Sequence, residues 1–169
     1  VLNLSGADVG AQGTAILAPS LIQNTTLTTL GIDHNEVGAA GAQSLVPAIE
    51  KNNTMTALFL GRNKIGSGGT AVLAPAIEKN TKLLTLSLSG NSIGDSGAIA
   101  LVPTIEKNST LTSLDLTYNS ISTAGVAALA CAMEKNNTLT KASTQPPALP
   151  AVPRAPASPH APSHAPAPP

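Results

Sequence analysis

Asp33, His34 and Arg62 put an acid, a base and a cation within one short stretch of pattern, the parts used for proton transfer and anion stabilisation. Asp33 and His34 are adjacent, and Arg62 follows His34 by 28 residues. Adjacent residues on an extended chain point to opposite sides, so the acid and the base do not converge on one atom. No serine or cysteine is placed beside the histidine as a nucleophile would be. Arg62 alone could enter a nucleotide-hydrolysing site as a charge-stabilising finger. Cys131 falls in an outward-facing column with nothing that marks it as reactive. His160 and His164 are too sparse for a metal site. The chain is therefore not expected to be an enzyme, and neither a cofactor nor a metal is expected.

The spacing of 28 between His34 and Arg62 is itself the main signal. The pattern Leu-x-x-Leu-x-Leu-x-x-Asn recurs with that period, without insertion or deletion. It reads Leu27, Leu30, Ile32, Asn35; Met55, Leu58, Leu60, Asn63; Leu83, Leu86, Leu88, Asn91; and Leu111, Leu114, Leu116, Asn119. A degenerate first copy has Leu2, Leu4 and Ala7 in the matching columns. A fixed period of this length marks a solenoid.

Each repeat has two halves. Thr85 to Ser89 alternates apolar and polar, as a half-buried strand does. Ser96 to Lys107 places Ile99, Leu101, Val102 and Ile105 at roughly helical spacing, with Glu106 and Lys107 toward solvent. Between the halves sits the asparagine column Asn35, Asn63, Asn91, Asn119, where the chain must turn. A buried carboxamide there can donate to carbonyls and accept from a backbone N–H, and stacked copies would form a ladder. Gly13, Gly41, Gly69, Gly97 and Gly125 form an unbroken column, required either for close helix approach or for a positive φ. Pro19, Pro47, Pro75 and Pro103 fall mid-helix on the outward side, with Cys131 in their place in the last repeat. They are expected to bend or split every helix that carries them, the alternative being two short helical pieces with the proline opening the second.

The repeats fill residues 1–141, a domain of five. From Ala142 the leucine columns fail, and all of the chain's fourteen prolines except the four named fall in 142–169. That segment cannot bury enough apolar surface to offset its conformational entropy, so a disordered, polyproline-leaning tail is expected, reaching roughly 85 Å at about 3.1 Å per residue. Formal charge is zero, with nine basic and nine acidic residues. The missing cationic footprint argues against nucleic acid, and no apolar stretch is long enough to span a bilayer. The single cysteine excludes an internal disulfide framework, and a cytoplasmic location is expected. Five N-x-S/T sequons occur, at Asn3, Asn24, Asn52, Asn108 and Asn136; the last four share one column at the helix end, which a repeating helix stop explains without glycosylation.

The 28-residue repeat, its L-x-x-L-x-L-x-x-N strand followed by I-G, and the G-A-x-x-L-x-x-x-I-E-K-N helix of Gly97 to Asn108 resemble the ribonuclease-inhibitor-like subfamily of leucine-rich repeat proteins. Members include ribonuclease inhibitor, the sensor region of NOD-like receptors and the Ran GTPase-activating protein. The resemblance implies an α/β right-handed horseshoe with parallel strands on the concave side and helices on the convex side. The chain departs from that pattern in having no visible caps, in its proline column and in a bland concave face.

Alternation puts Thr29, Gly31, Asp33; Ala57, Phe59, Gly61; Thr85, Ser87, Ser89; and Ser113, Asp115, Thr117 on that concave face, with His34, Arg62, Gly90 and Tyr118 just beyond. The candidate binding residues are Asp33, His34, Phe59, Arg62, Ser87, Asp115 and Tyr118. His34 and Arg62 are expected to be neighbours, with Asp33 in reach of Arg62. Aromatic and Arg side chains are the usual anchors of interfaces, although single exposed apolar residues are also normal drift. The expected function is a non-catalytic protein-binding scaffold or sensor module, part of a larger chain, with a protein partner. Alternatives are a regulator of an enzyme, of the GTPase-activating or inhibitor type, and a purely structural repeat.

Overall fold

The computed structural model of the chain describes residues 1–144. Strands and helices alternate: β1 (Leu2–Asn3), α1 (Gly10–Gln23), β2 (Thr29–Gly31), α2 (Gly38–Lys51), β3 (Ala57–Phe59), α3 (Gly66–Lys79), β4 (Thr85–Ser87), α4 (Gly94–Ala100), α5 (Val102–Lys107), β5 (Ser113–Asp115), α6 (Thr123–Lys135) and β6 (Lys141–Ser143). The six strands form one sheet in chain order, all parallel. Register follows the repeat, with Leu2, Leu30, Leu58, Leu86, Leu114 and Ala142 side by side. Strands stack about 4.8 Å apart and helices about 8–10 Å, so a one-layer stack of such units curves toward its sheet. This is an α/β leucine-rich solenoid.

The core lies between sheet and helices. Leu30, Leu58, Leu86 and Leu114 from the strands meet Leu45, Ile49, Leu73, Ile77, Leu101 and Ile105 from the helices, all buried. Each such side chain contributes about 1.5–3 kcal/mol on leaving water. Val37, Ile65 and Ile93 plug the turn ahead of each helix and are equally buried. The glycine just after each plug has φ between +57° and +67°, in Gly10, Gly38, Gly66 and Gly94. That left-handed backbone favours glycine. The next glycine column answers to a different need. A Cβ on Gly97 would lie 2.4 Å from Ile93 Cγ2 and 3.2 Å from the Ser67 Cα of the preceding helix, so the column exists for close approach.

The asparagine column forms the expected ladder. Asn91 Nδ2 donates to Leu60 O of the preceding repeat (2.8 Å) and to Leu88 O of its own (2.9 Å). Its Oδ1 accepts from the N–H groups of Asn63 (2.9 Å) and Ile65 (3.2 Å). Asn35, Asn63 and Asn119 repeat the arrangement, and all four are fully buried. A second ladder runs along the helix ends. Asn52, Asn80, Asn108 and Asn136 each donate from Nδ2 to two carbonyls one repeat back, as Asn108 does to Ile77 O and Asn80 O. Their Oδ1 atoms accept from the N–H groups two and three residues on. Three of the helix-end sequon asparagines, Asn52, Asn108 and Asn136, thus have both amide protons committed; Asn24 is exposed.

Two expectations need correction. A break appears at only one of the four prolines. α4 ends at Ala100 and α5 begins at Val102, with Leu101 (ψ −12°) bonded back to Gly97 O and Ala98 O. α1, α2 and α3 run on through Pro19, Pro47 and Pro75. The carbonyls deprived of a donor belong to Ala15, Gln43 and Ala71, all on the exposed side, where water can replace the lost bond. The repeat that does break carries Thr104, whose hydroxyl donates to Ala74 O of the neighbouring helix (2.9 Å). Second, the sheet passes the boundary set at 141. Ala142 and Ser143, assigned by sequence to the tail, pair with Leu114 and Asp115. The rest of the tail, from residue 145, lies outside the described residues.

The last helix starts differently because Ser122 replaces the turn glycine. Its backbone is extended (φ −82°, ψ −178°) and its hydroxyl accepts from Ala124 N–H. Asp95 of the preceding helix takes the Ser122 hydroxyl at 2.6 Å and its N–H at 2.8 Å. The Ser122 hydroxyl first, then the Ser122 N–H, hold the Asp95 carboxyl below its ordinary value of 3.8. A lowered carboxylate stabilises the fold above its unfolded value, and that contribution disappears as pH falls through the folded value.

Two predictions follow from these contacts. Asn91→Ala should destabilise the domain by at least about 2 kcal/mol in chemical denaturation, because two buried N–H groups lose their acceptor at about 1–3 kcal/mol each. A loss below half of that would contradict the ladder. Thermal midpoints of wild type and Asp95→Asn should differ near neutral pH and converge on acidification below the ordinary aspartate range; a constant gap would show that the carboxylate charge is irrelevant to that contact.

Candidate functional site on the open sheet face

The face of the sheet away from the helices is free of covering structure among the described residues. Its edge is set by the turn that follows each strand. Gly6, His34, Arg62, Gly90 and Tyr118 are equivalent positions there, and all five have φ between +53° and +69°. The geometry is fixed by backbone bonds between rungs: His34 N–H donates to Gly61 O (2.9 Å) and Arg62 N–H to Ser89 O (2.7 Å). Glycine occupies this left-handed position in two repeats at little cost. An L side chain costs roughly 1–2 kcal/mol there. Three repeats nevertheless carry a large polar or aromatic side chain, and His34, Arg62 and Tyr118 are all exposed.

Arg62 does not pair with Asp33, contrary to expectation. Its stem leans the other way, over the next repeat, where a Cβ on Gly90 would come within 2.9 Å of Arg62 Cγ. The guanidinium has no ion pair among the described residues, so it faces water uncommitted. Asp33 is half-buried, and its Oδ1 accepts from Gly61 N–H at 2.7 Å. His34 and Arg62 do occupy successive rungs. One turn further out, Lys64 bonds Glu36, and this ammonium holds the Glu36 carboxyl below its ordinary value. Both are well exposed, so the pair adds little to stability.

Phe59 is half-buried and forms one wall of a shallow hollow of about 240 Å³ with Asp33, Thr29, Gly31, Asn3 and Ser5. Ser87 is buried, its hydroxyl 3.4 Å from Asp115 Oδ2, while Asp115 Oδ1 accepts from Thr117 N–H at 2.9 Å. Tyr118 stands at the far end, 64 % exposed. The predicted residues therefore fall into three groups rather than one cluster: Asp33 and Phe59 at the hollow near β1, His34, Arg62 and Tyr118 along the turn edge, and Ser87 with Asp115. Ser87 and Asp115 are tied to each other on the sheet itself. Sequence reasoning passed over Asn3 and Ser5, because they lie in the degenerate first repeat. Among the described residues no group of three His, Cys, Asp or Glu side chains is placed to hold a metal ion, and no helix is long and apolar enough to cross a membrane.

The left-handed turn column makes a direct prediction. Arg62→Gly should relieve about 1–2 kcal/mol of backbone strain against about 0.4–1 kcal/mol of added freedom in the unfolded chain. Denaturant titration should show the variant as stable as wild type or up to about 1 kcal/mol more so; a clear loss would mean that the arginine side chain supports the fold.

Known proteins share this architecture. No curated protein sequence matches the chain significantly. Among solved structures, the chain is similar to one described as Leiomodin-1 Actin-Binding Site 2 (ABS2), with a TM-score of 0.67 and 18 % identity over 80 % of this chain and 79 % of that one. At that identity the likeness concerns the fold. A family profile described as Leucine Rich repeat matches residues 23–46, 51–74, 79–102 and 107–130, more than half of the sequence and in step with the strand–turn–helix units above. The chain belongs to the leucine-rich repeat family.

Proposed function

We propose that the domain is a non-catalytic protein-binding module, a scaffold or sensor, that engages its partner with the open face of the sheet. One observation carries the reading: His34, Arg62 and Tyr118 are held exposed at a backbone position where Gly6 and Gly90 show that glycine serves the fold. A second left-handed column, Asp8, Glu36, Lys64, Ser92 and Ser120, holds no glycine at all, so the reading rests on the size, chemistry and exposure of His34, Arg62 and Tyr118 rather than on backbone strain alone. Phe59 adds a second aromatic on the same face, and aromatic and Arg side chains dominate interface energetics. The solved neighbour named for an actin-binding site supports the idea that this architecture presents a protein-binding surface. The 28-residue period and the I-G turn support the ribonuclease-inhibitor-like subtype. An exposed free Cys131 and sequon asparagines committed to helix-end bonds suit a cytoplasmic protein.

A regulatory reading has its own observation in the uncommitted Arg62 guanidinium. Acceleration of GTP hydrolysis by a small GTPase, abolished in Arg62→Ala, would bring that reading forward.

Affinity capture with wild type, with Phe59→Ala combined with Tyr118→Ala, and with helix-face Ile99→Ser tests the main reading. The double variant should lose its partner by about 2 kcal/mol or more, roughly thirtyfold in Kd, and Ile99→Ser should keep it. The opposite pattern would move the binding surface to the helices.

A further inference from the structure

The hollow beside Phe59 has the chemistry of a cation site. Val1, Leu2, Thr29 and Gly31 line it, Gly31 with no side chain to fill the space. Phe59 supplies an aromatic wall, and Asp33 is the one carboxylate lining the space. Asp33 Oδ1 is satisfied by Gly61 N–H, whereas Oδ2 has only Ser5 Oγ at 3.4 Å. The Ser5 hydroxyl has a single proton, and Asn3 Oδ1 stands closer to it at 2.7 Å. Asp33 Oδ2 thus keeps a charged acceptor open at the hollow. Arg62, one repeat on, leans away over Gly90, and the amino group of Val1, which also lines the hollow, forms no ion pair with Asp33. No basic side chain lines the hollow.

We infer that this hollow takes an arginine side chain from the protein partner, with the guanidinium bonded to Asp33 Oδ2 and stacked against Phe59. The inference rests on the binding role proposed for the open face and names the chemistry one end of it reads. Charge complementarity selects a cation over an apolar side chain. Arginine is favoured over lysine because its planar, weakly hydrated head can stack on an aromatic ring while donating hydrogen bonds in its own plane. The affinity of one side chain is small, so the hollow acts as a specificity pocket within a larger contact.

The test uses the full chain and three probes: N-acetyl-argininamide, N-acetyl-lysinamide and N-acetyl-norleucinamide. Amide NMR shifts of Gly31, Phe59 and Gly61 are followed through each titration. The arginine probe should bind at least about tenfold more tightly than the norleucine probe, the worth of one charge-assisted hydrogen bond, with lysine between them. Asp33→Asn, which keeps an oxygen for Gly61 N–H, should remove that advantage, and Phe59→Leu should remove the preference for arginine over lysine. Equal binding of norleucine and arginine, a preference for lysine, or full arginine binding by Asp33→Asn would each overturn the assignment. A partner lost on Tyr118→Ala but unaffected by Asp33→Asn would remove the pocket and leave the binding face standing.

Discussion

A carboxamide that donates and accepts from a single short side chain is the constraint on which this fold depends. Every repeat must turn from strand to helix, and a turn leaves backbone N–H and C=O groups without regular partners. Asn35, Asn63, Asn91 and Asn119 each answer groups in two repeats at once. Aspartate would lack the donor and would stack like charges in a buried row. The second ladder, Asn52 to Asn136, does the same where the helix ends. The leucine core is non-directional and sets no register by itself. The two ladders fix each repeat at both ends of its helix, so a stack of quasi-one-dimensional units acquires one register.

This division of labour frees the open face. With register fixed by buried amides, the strands need only alternate, and their outward positions tolerate Gly31, Phe59, Ser87 and Asp115 in one column. The turn column tolerates Gly90 beside Arg62 and Tyr118 for the same reason. A rigid scaffold with chemically free rungs is the arrangement that lets repeat proteins vary their partners without refolding.

The strands, their parallel register and the first asparagine ladder were readable because each depends on a residue type repeated at fixed spacing. The helix-end column was readable only as a stop signal; that its amides reach back to the preceding repeat requires the register itself. The proline column misled because sequence marks the lost donor, while the consequence depends on whether water reaches the orphaned carbonyl. Asp33 and Arg62 misled in a related way. Strand spacing placed them in reach, but Gly90 opened room on the other side and Gly61 N–H satisfied the carboxylate. The left-handed turn had a signal in plain view: a column alternating glycine with His, Arg and Tyr. The boundary at 141 failed because alanine, too small to complete a leucine column, is still able to pair as a strand.

Native-state hydrogen exchange tests the ladder most directly. Turn amides near a surface ordinarily exchange through small local openings. If the asparagine rungs fix the stack, the N–H groups of Asn35, Asn63 and Asn91 should be protected as strongly as those of Leu58 and Leu86, exchanging only with global unfolding. Exchange of the three turn amides at the rate of the exposed loops, with the leucines still protected, would show that the core holds the repeats in register and that the ladder is incidental.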